Sequence, residues 1–206
     1  MSSLIHPVFV PVPVSTPTIA PGILFFVVGP SGVGKSSLLA WVRSRLPVGG
    51  DTLFARRTIT RGAAPGEGHE PIDRVQFEAE AATGGFSLAW EANDFCYGVR
   101  AGMEADLQAG HRVVVDGSRG YVPTLLQRFP EARVIWVTAS NDAIRNRLET
   151  RQREAGAALL QRLDRAQQFS PPAGPATLRI NNCGPIEVAG AALLALITRD
   201  HRPTSD

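Results

Sequence analysis

Residues 23–46 read ILFFVVGPSGVGKSSLLAWVRSRL. Ile23–Val28 is a continuous apolar run of β-formers, the pattern of a strand buried on both faces. Gly29-Pro-Ser-Gly-Val-Gly-Lys-Ser36 follows and matches GxxxxGK[ST], a phosphate-binding loop. Beyond it, apolar Leu38, Leu39, Val42 and Leu46 recur at helical spacing, and Pro47 stops that helix. Each part of the loop has a physical task. The glycines admit backbone angles closed to other residues, so successive N–H groups converge on one anion. The helix that follows points its positive end at the same anion. A chain of this composition produces the pattern by accident on the order of one time in a thousand.

The wider chain supports this reading. Of its 21 basic residues 20 are Arg, and the single Lys, Lys35, occupies the position that the loop requires. Gly29, Pro30, Ser31, Gly32, Val33, Gly34, Lys35, Ser36 and Ser37 are the candidate ATP-binding residues. Lys35 is expected to reach the β- and γ-phosphates and Ser36 to offer a hydroxyl to Mg²⁺.

Apolar runs alternate with helical patterns over the rest of the sequence. Strands are expected at Thr52–Ile59, Phe86–Ala92, Asp94–Val99 (the last two as short strands or a hairpin), Val113–Asp116, Val134–Val137 and Thr177–Ile180. Helices are expected from Asp73, which with Gln76 forms a capping-box pattern, to Ala82, over Met103–Leu107, after Ser140, and from Pro185 to Ile197. A Gly/Pro/Ala loop covers 62–71 and a Pro/Gly break 171–175. This alternation predicts an α/β fold, a parallel sheet covered by helices. Val113–Asp116 is a buried strand ending in a carboxylate, so Asp116 is a second candidate on the Mg²⁺ side.

Composition excludes several classes. With 206 residues, 44% apolar and 19% charged, the chain is no disordered tail, collagen or coiled coil. No apolar run reaches the roughly 18 residues that span a bilayer, and the apolar stretch IEVAGAALLALI (186–197) reads as a core-packed helix. Residues 1–21 carry five prolines and no basic start, and are expected to be an extended or disordered leader rather than a signal peptide. Cys96 and Cys183 form no CxxC pair, which leaves no metal framework or disulfide scaffold and makes a reducing cytoplasm the default compartment. The net charge of +2 makes no polycation, but Arg clusters at 56–61 and 145–165. No aromatic-basic interleaving accompanies them, so neither nucleic acid nor membrane is an expected partner.

The sequences GPSGVGKSSLL, RTITRGAAPGE, FSLAWEANDFCYGV and RLETRQRE…LLQRL resemble the guanylate-kinase-like group of P-loop (Walker A) kinases from about Leu24 to Ile197. Within that group the traits RxITR (57–61), LxWxAN…YGV (88–99), VxGSRxxxP (115–123), LxxRxRE (148–154) and LxxNN (178–182) resemble the ribose 1,5-bisphosphate phosphokinases of phosphonate breakdown. The resemblance implies a kinase domain over about 22–200, with an acceptor-binding part near 52–99 and an Arg-rich lid near 145–165. It implies transfer of the ATP γ-phosphoryl, with Mg²⁺, to a phosphorylated ribose to give 5-phosphoribosyl 1-diphosphate. Arg57, Arg61, Arg119 and Tyr97 would bind the acceptor; Lys35 with the lid arginines Arg151 and Arg162 would act on the transferring phosphate. The acceptor is already an anion, so no general base is required.

True guanylate kinases differ at informative places. Their second phosphate arginine falls on Ala64, their guanine-reading Glu on Leu88, and no Tyr occurs between Gly66 and Phe77. Other readings remain. Guanylate kinase proper is separated by an assay on GMP. A non-catalytic module of this fold typically lacks the loop Lys, which is present here. A hydroxyl kinase needs a carboxylate base, for which Glu67 and Glu91 are the nearby candidates. One outcome is common to the kinase readings: Lys35→Ala should retain under about a tenth of wild-type kcat, a loss above about 1.4 kcal/mol, with the thermal unfolding midpoint unchanged.

Overall fold

The computed structural model describes residues 22–63, 68–150 and 177–199. The expected leader (1–21) and the break at 171–175 lie outside them.

β1 (Ile23–Val28) leads into α1 (Lys35–Arg43), as the opening stretch predicts. The helix ends three residues before Leu46: Arg45 N–H turns back to Val42 O at 3.0 Å, and the Arg45 guanidinium covers the Trp41 ring. Thr52–Ile59 is two strands rather than one. β2 (Thr52–Phe54) runs parallel to the later strand β7 (Arg112–Asp116), and Ala55 N–H makes the last bond there, 2.9 Å to Val114 O. The chain then leaves that sheet at Arg56, whose guanidinium donates to Gly68 O and His69 O, and β3 (Arg57–Ile59) joins a second sheet. The loop from 62 closes with a two-residue strand, β4 (Glu70–Pro71).

Asp73 caps α2 (Arg74–Ala82), its carboxylate accepting the Gln76 N–H at 2.7 Å. Only half of the box forms, because the Gln76 amide bonds Glu80 instead. β5 (Phe86–Ala92) and β6 (Phe95–Arg100) are the expected hairpin. Its turn residues Asn93 and Asp94 both have positive φ, 50° and 65°, as a tight two-residue hairpin requires. α3 (Gly102–Gln108), β7, a 3₁₀ turn (Arg119–Tyr121), α4 (Val122–Arg128), β8 (Arg133–Thr138), α5 (Asn141–Thr150), β9 (Thr177–Asn181) and α6 (Ile186–Thr198) follow.

The main sheet is entirely parallel, in the order β2-β7-β1-β8-β9. Strand side chains alternate between its two faces, and two cores result. Phe25, Val27, Val114, Ile135, Val137 and Ile180 pack under α1 and α6; Leu24, Phe26, Val28, Val113, Val115, Val134 and Trp136 pack under α3, α4 and residues of β5 and β6. The expected α/β fold is therefore present. The second sheet, β4-β3-β6-β5, is mixed, with its hairpin antiparallel. α2 covers its outer face through Phe77 stacked on Phe86, 4.6 Å between ring centres. α6 is a packed helix: Ala189, Leu193 and Ile197 are buried, and the Trp41 ring lies against Gly190. Among the described residues no helix is long and apolar enough to cross a membrane.

Glu70 ties this second sheet together. It accepts from Thr58 Oγ1 (2.8 Å) and from Arg100 (2.8 and 3.1 Å), and Arg100 also pairs with Glu80 on α2. These donors hold the Glu70 carboxyl below its ordinary value of 4.5, Arg100 first and Thr58 second. A carboxyl with a depressed folded pKa stabilises the fold above the unfolded value, and that contribution is lost as pH falls through the folded one. Glu70→Gln should therefore lower Tm at pH 7, and its gap from the wild type should narrow as pH falls below about 4.5. A gap independent of pH would show that charge at Glu70 contributes nothing.

Candidate active site

Parallel pairing sets Val27 opposite Asp116, and Gly117 N–H donates to Val27 O at 2.9 Å. The glycine loop, starting one residue after β1, thus begins beside the carboxylate that ends β7. This is the carboxyl end of a parallel sheet, where open α/β folds place ligands. An added Cβ at Gly117 would come within 2.1 Å of the Phe26 ring, so that approach needs glycine.

Within the loop, Gly34 stands at φ 97°, ψ 16° and begins α1. A Cβ there would meet Asn182 Nδ2 at 2.5 Å, so both torsion and space require glycine. Lys35 donates its ammonium to Gly29 O at 2.9 Å. Burial lowers its pKa most; Asp116 opposes that, and Arg57 and Arg119 add to it. Asp116, Arg57 and Arg119 thus all lie within electrostatic reach of Lys35, and Arg57 and Asp116 are themselves paired. Such a group attracts polyanions. Ser36 and Ser37 lie exposed in the first turn of α1.

Arg57 reaches across from the second sheet. Its Nη2 lies 2.9 Å from Asp116 Oδ2, both side chains largely covered at 26% and 15% exposure, and its guanidinium stands 5.8 Å from the centre of the Tyr97 ring. Tyr97 stacks on Trp90 (5.6 Å), Trp90 on Tyr121 (5.5 Å), and Phe26 meets both Trp90 and Tyr121 at about 6 Å. A wall of aromatic rings thus joins the two sheets behind the charged group. Arg119, in the 3₁₀ turn three residues past Asp116, is half-buried, and burial lowers its pKa. Asp116 Oδ1 is buried with no hydrogen-bond partner among the described residues.

The expected residues are not all gathered there. Arg61 sits over the Phe95 ring at the far end of the β6 strand, about 13 Å of extended chain from Arg57. Ala64 and Glu67, and the lid arginines Arg151 and Arg162, lie outside the described residues. Leu88, on β5, is fully buried in the core between the two sheets. Glu91 does not face the charged group as a base would; it pairs with Arg74 at 2.9 Å on the outer side.

Two residues of the loop's surroundings had been given no role from sequence: Arg147 of α5 and Asn182 after β9. Arg147 Nη1 and Asn182 Nδ2 both donate to the Val33 carbonyl, at 3.0 and 2.8 Å. The motifs RLETR and LRINN contain them, but spacing alone does not reveal what a side chain from residue 147 or 182 touches at residue 33.

No family model matches the chain. Individual proteins do. The chain is 52% identical over 176 residues to the ribose 1,5-bisphosphate phosphokinase PhnN of Janthinobacterium sp. (strain Marseille), covering 85% of this chain and 39% of that one. It is 45% identical over 174 residues to the PhnN of Chromobacterium violaceum, covering 84% of this chain and 92% of that one. The chain thus spans about two fifths of the first relative and nearly all of the second. Among solved structures, guanylate kinase from Anaplasma phagocytophilum superposes with a TM-score of 0.62 at 16% identity, covering 85% of this chain and 84% of that one, a likeness of fold.

The geometry here has its own test. Gly117→Ala should destabilise the protein by about 1–3 kcal/mol in urea unfolding, through crowding of Phe26 and the rings behind it. Phe26→Leu in the same chain should recover part of that loss, since touching sites are non-additive. An unmoved midpoint for Gly117→Ala would contradict the close approach.

Proposed function

The chain belongs to the ribose 1,5-bisphosphate phosphokinase family, and on that premise we propose that it moves the γ-phosphoryl of ATP onto the 1-phosphate of ribose 1,5-bisphosphate. The observation that carries the proposal is the Lys35–Asp116–Arg57–Arg119 group, which joins the donor loop to the second sheet with a surplus of positive charge.

An oxygen of the acceptor's 1-phosphate attacks the γ-phosphorus. The bond from that phosphorus to the β–γ bridging oxygen breaks, and the products are ADP and 5-phosphoribosyl 1-diphosphate. The attacking oxygen is ionised at neutral pH, since a phosphate monoester has its second pKa near 6. No proton need be removed, and the work consists of bringing two polyanions together and holding them in line.

In this reading the backbone of Gly29 to Gly34 and the first turn of α1 cradle the ATP phosphates. Lys35 leaves Gly29 O for the β- and γ-phosphates. Arg57 and Arg119 hold acceptor phosphate, with the Tyr97 ring beside Arg57 closing that side. Arg61, farther along the second sheet, takes the other phosphate of an acceptor that carries one at each end. Arg151 and Arg162 form the lid over the γ-phosphate and exclude water. The site also suits Mg²⁺. Ser36 offers a hydroxyl, and Asp116 Oδ1 is an unsatisfied buried carboxylate oxygen, the hard donors that Mg²⁺ takes when phosphates and water supply the rest. Mg²⁺ held there would neutralise charge on the β- and γ-phosphates.

The second sheet offers little to a guanine base. Its N1–H and N2–H₂ need acceptors, and a free carboxylate is the strongest. Glu70 is committed to Thr58 and Arg100, Glu80 to Arg100, and Glu78 and Glu91 to Arg74. Buried donors left without partners cost about 1–3 kcal/mol each.

Ribose 1,5-bisphosphate should therefore be turned over with kcat/KM at least about 100-fold above that for GMP, about 2.7 kcal/mol of discrimination. A coupled ADP-release assay at equal ATP and Mg²⁺ measures both. Comparable values would replace this function with guanylate kinase.

A further inference from the structure

We infer that Arg147 and Asn182 are positioning residues for the nucleotide phosphates: from behind the loop they hold the Val33 carbonyl, and so turn the Gly34 N–H towards the phosphate cradle. The inference rests on the nucleotide-phosphate reading of the loop and is independent of the acceptor's identity.

One peptide plane links the two groups. Val33 C=O and Gly34 N–H belong to the same planar trans amide and point in opposite directions. A device that fixes the carbonyl therefore fixes the N–H. The carbonyl has two lone pairs, and each receives a donor: Arg147 Nη1 at 3.0 Å and Asn182 Nδ2 at 2.8 Å. One of these donors is charged, which makes its bond the stronger kind. The donors also hold each other, since Arg147 Nη2 donates to Asn182 O at 2.8 Å.

The braces are themselves anchored. Asn182 is 4% exposed, and its N–H bonds Thr138 O at 2.7 Å, continuing the β8–β9 pairing. Arg147 rides on α5, which Ser140 caps through the Ala143 N–H. The Val33 side chain is fully buried. Two elements, α5 and the end of β9, thus converge on one carbonyl.

Such fastening has a physical reason. Converging N–H dipoles repel one another until an anion arrives, and Gly34 is the residue freest to relieve that by turning its peptide. The N–H groups of the first helical turn have no intrahelical acceptor, so the helix does not hold them. Bonds to the carbonyl face keep the cradle open while empty, which lowers the reorganisation that binding would otherwise require. Because Arg147 lies four residues before Arg151, the same helix that steadies the loop leads directly into the stretch expected to supply the lid.

The test uses the full-length protein and two probes, ADP and inorganic tripolyphosphate, with binding followed by calorimetry at 10 °C and unfolding by circular dichroism. Arg147→Met keeps the aliphatic stem without donors, and Asn182→Asp keeps the shape but removes the amide donor. Each should weaken both probes by about tenfold, with Tm lowered by only a few degrees. Arg147→Lys, which restores one charged donor, should recover part of the affinity. Unchanged affinity for both probes in either folded variant would overturn the inference. So would a loss for ADP with none for tripolyphosphate, which would assign the pair to the base instead of the phosphates. A wild-type protein that binds neither probe would remove the nucleotide reading of the loop itself, and the inference with it.

Discussion

Parallel pairing of β1 with β7 is the constraint on which the rest of the site depends. Both strands are buried on both faces, so a slip of one residue would exchange two complete sets of core side chains. Register is therefore held by the whole core. It brings Val27 level with Asp116 and starts the glycine loop beside a carboxylate. Gly117 belongs to the same arrangement, because the Phe26 ring lies against its backbone and any larger residue would push the two strands' ends apart.

The Arg57–Asp116 ion pair extends that constraint to the second sheet. It is the charged bridge between β7 and β3, and the stacked rings of Tyr97, Trp90 and Tyr121 lie beside it. Asp116 has two distinct oxygens: one meets Arg57, and the other is buried with no partner among the described residues. In a water-poor setting that asymmetry matters, because an unsatisfied carboxylate oxygen is costly until a cation or a donor reaches it. The glycine-loop side of the main sheet and the second sheet thus meet at a single side chain.

The second sheet separates its charges by face. Glu70, Glu80 and Arg100 fasten β3 and β4 to α2, and Glu91 is held by Arg74 at the edge. Carboxylates committed in this way fasten the sheet to α2 and to its own edge. The same commitment takes Glu70, Glu80 and Glu91 out of the set of carboxylates open to a purine's donors.

What could be read from the chain alone was local. Gly29–Ser36 declared a phosphate loop because its glycines, its lysine and the helix after it are adjacent in sequence. The parallel sheet followed from apolar runs alternating with helical spacing. Asp73 marks a helix start, and the two hairpin strands are legible, although Asp94 belongs to the turn and not to the second strand. Thr52–Ile59 reads as one strand but forms two, because continuous β-propensity carries no sign of which sheet each half will join. Which face of β5 Leu88 occupies depends on what packs on either side, and the structure places it in the core. Only the tertiary structure decided that Arg57 reaches Asp116, 59 positions later, that Glu70 holds Arg100, and that Arg147 and Asn182 grip the Val33 carbonyl from more than a hundred residues away. Hydrogen bonds and ion pairs act over about 3–4 Å of space, and a sequence records distance along the chain instead.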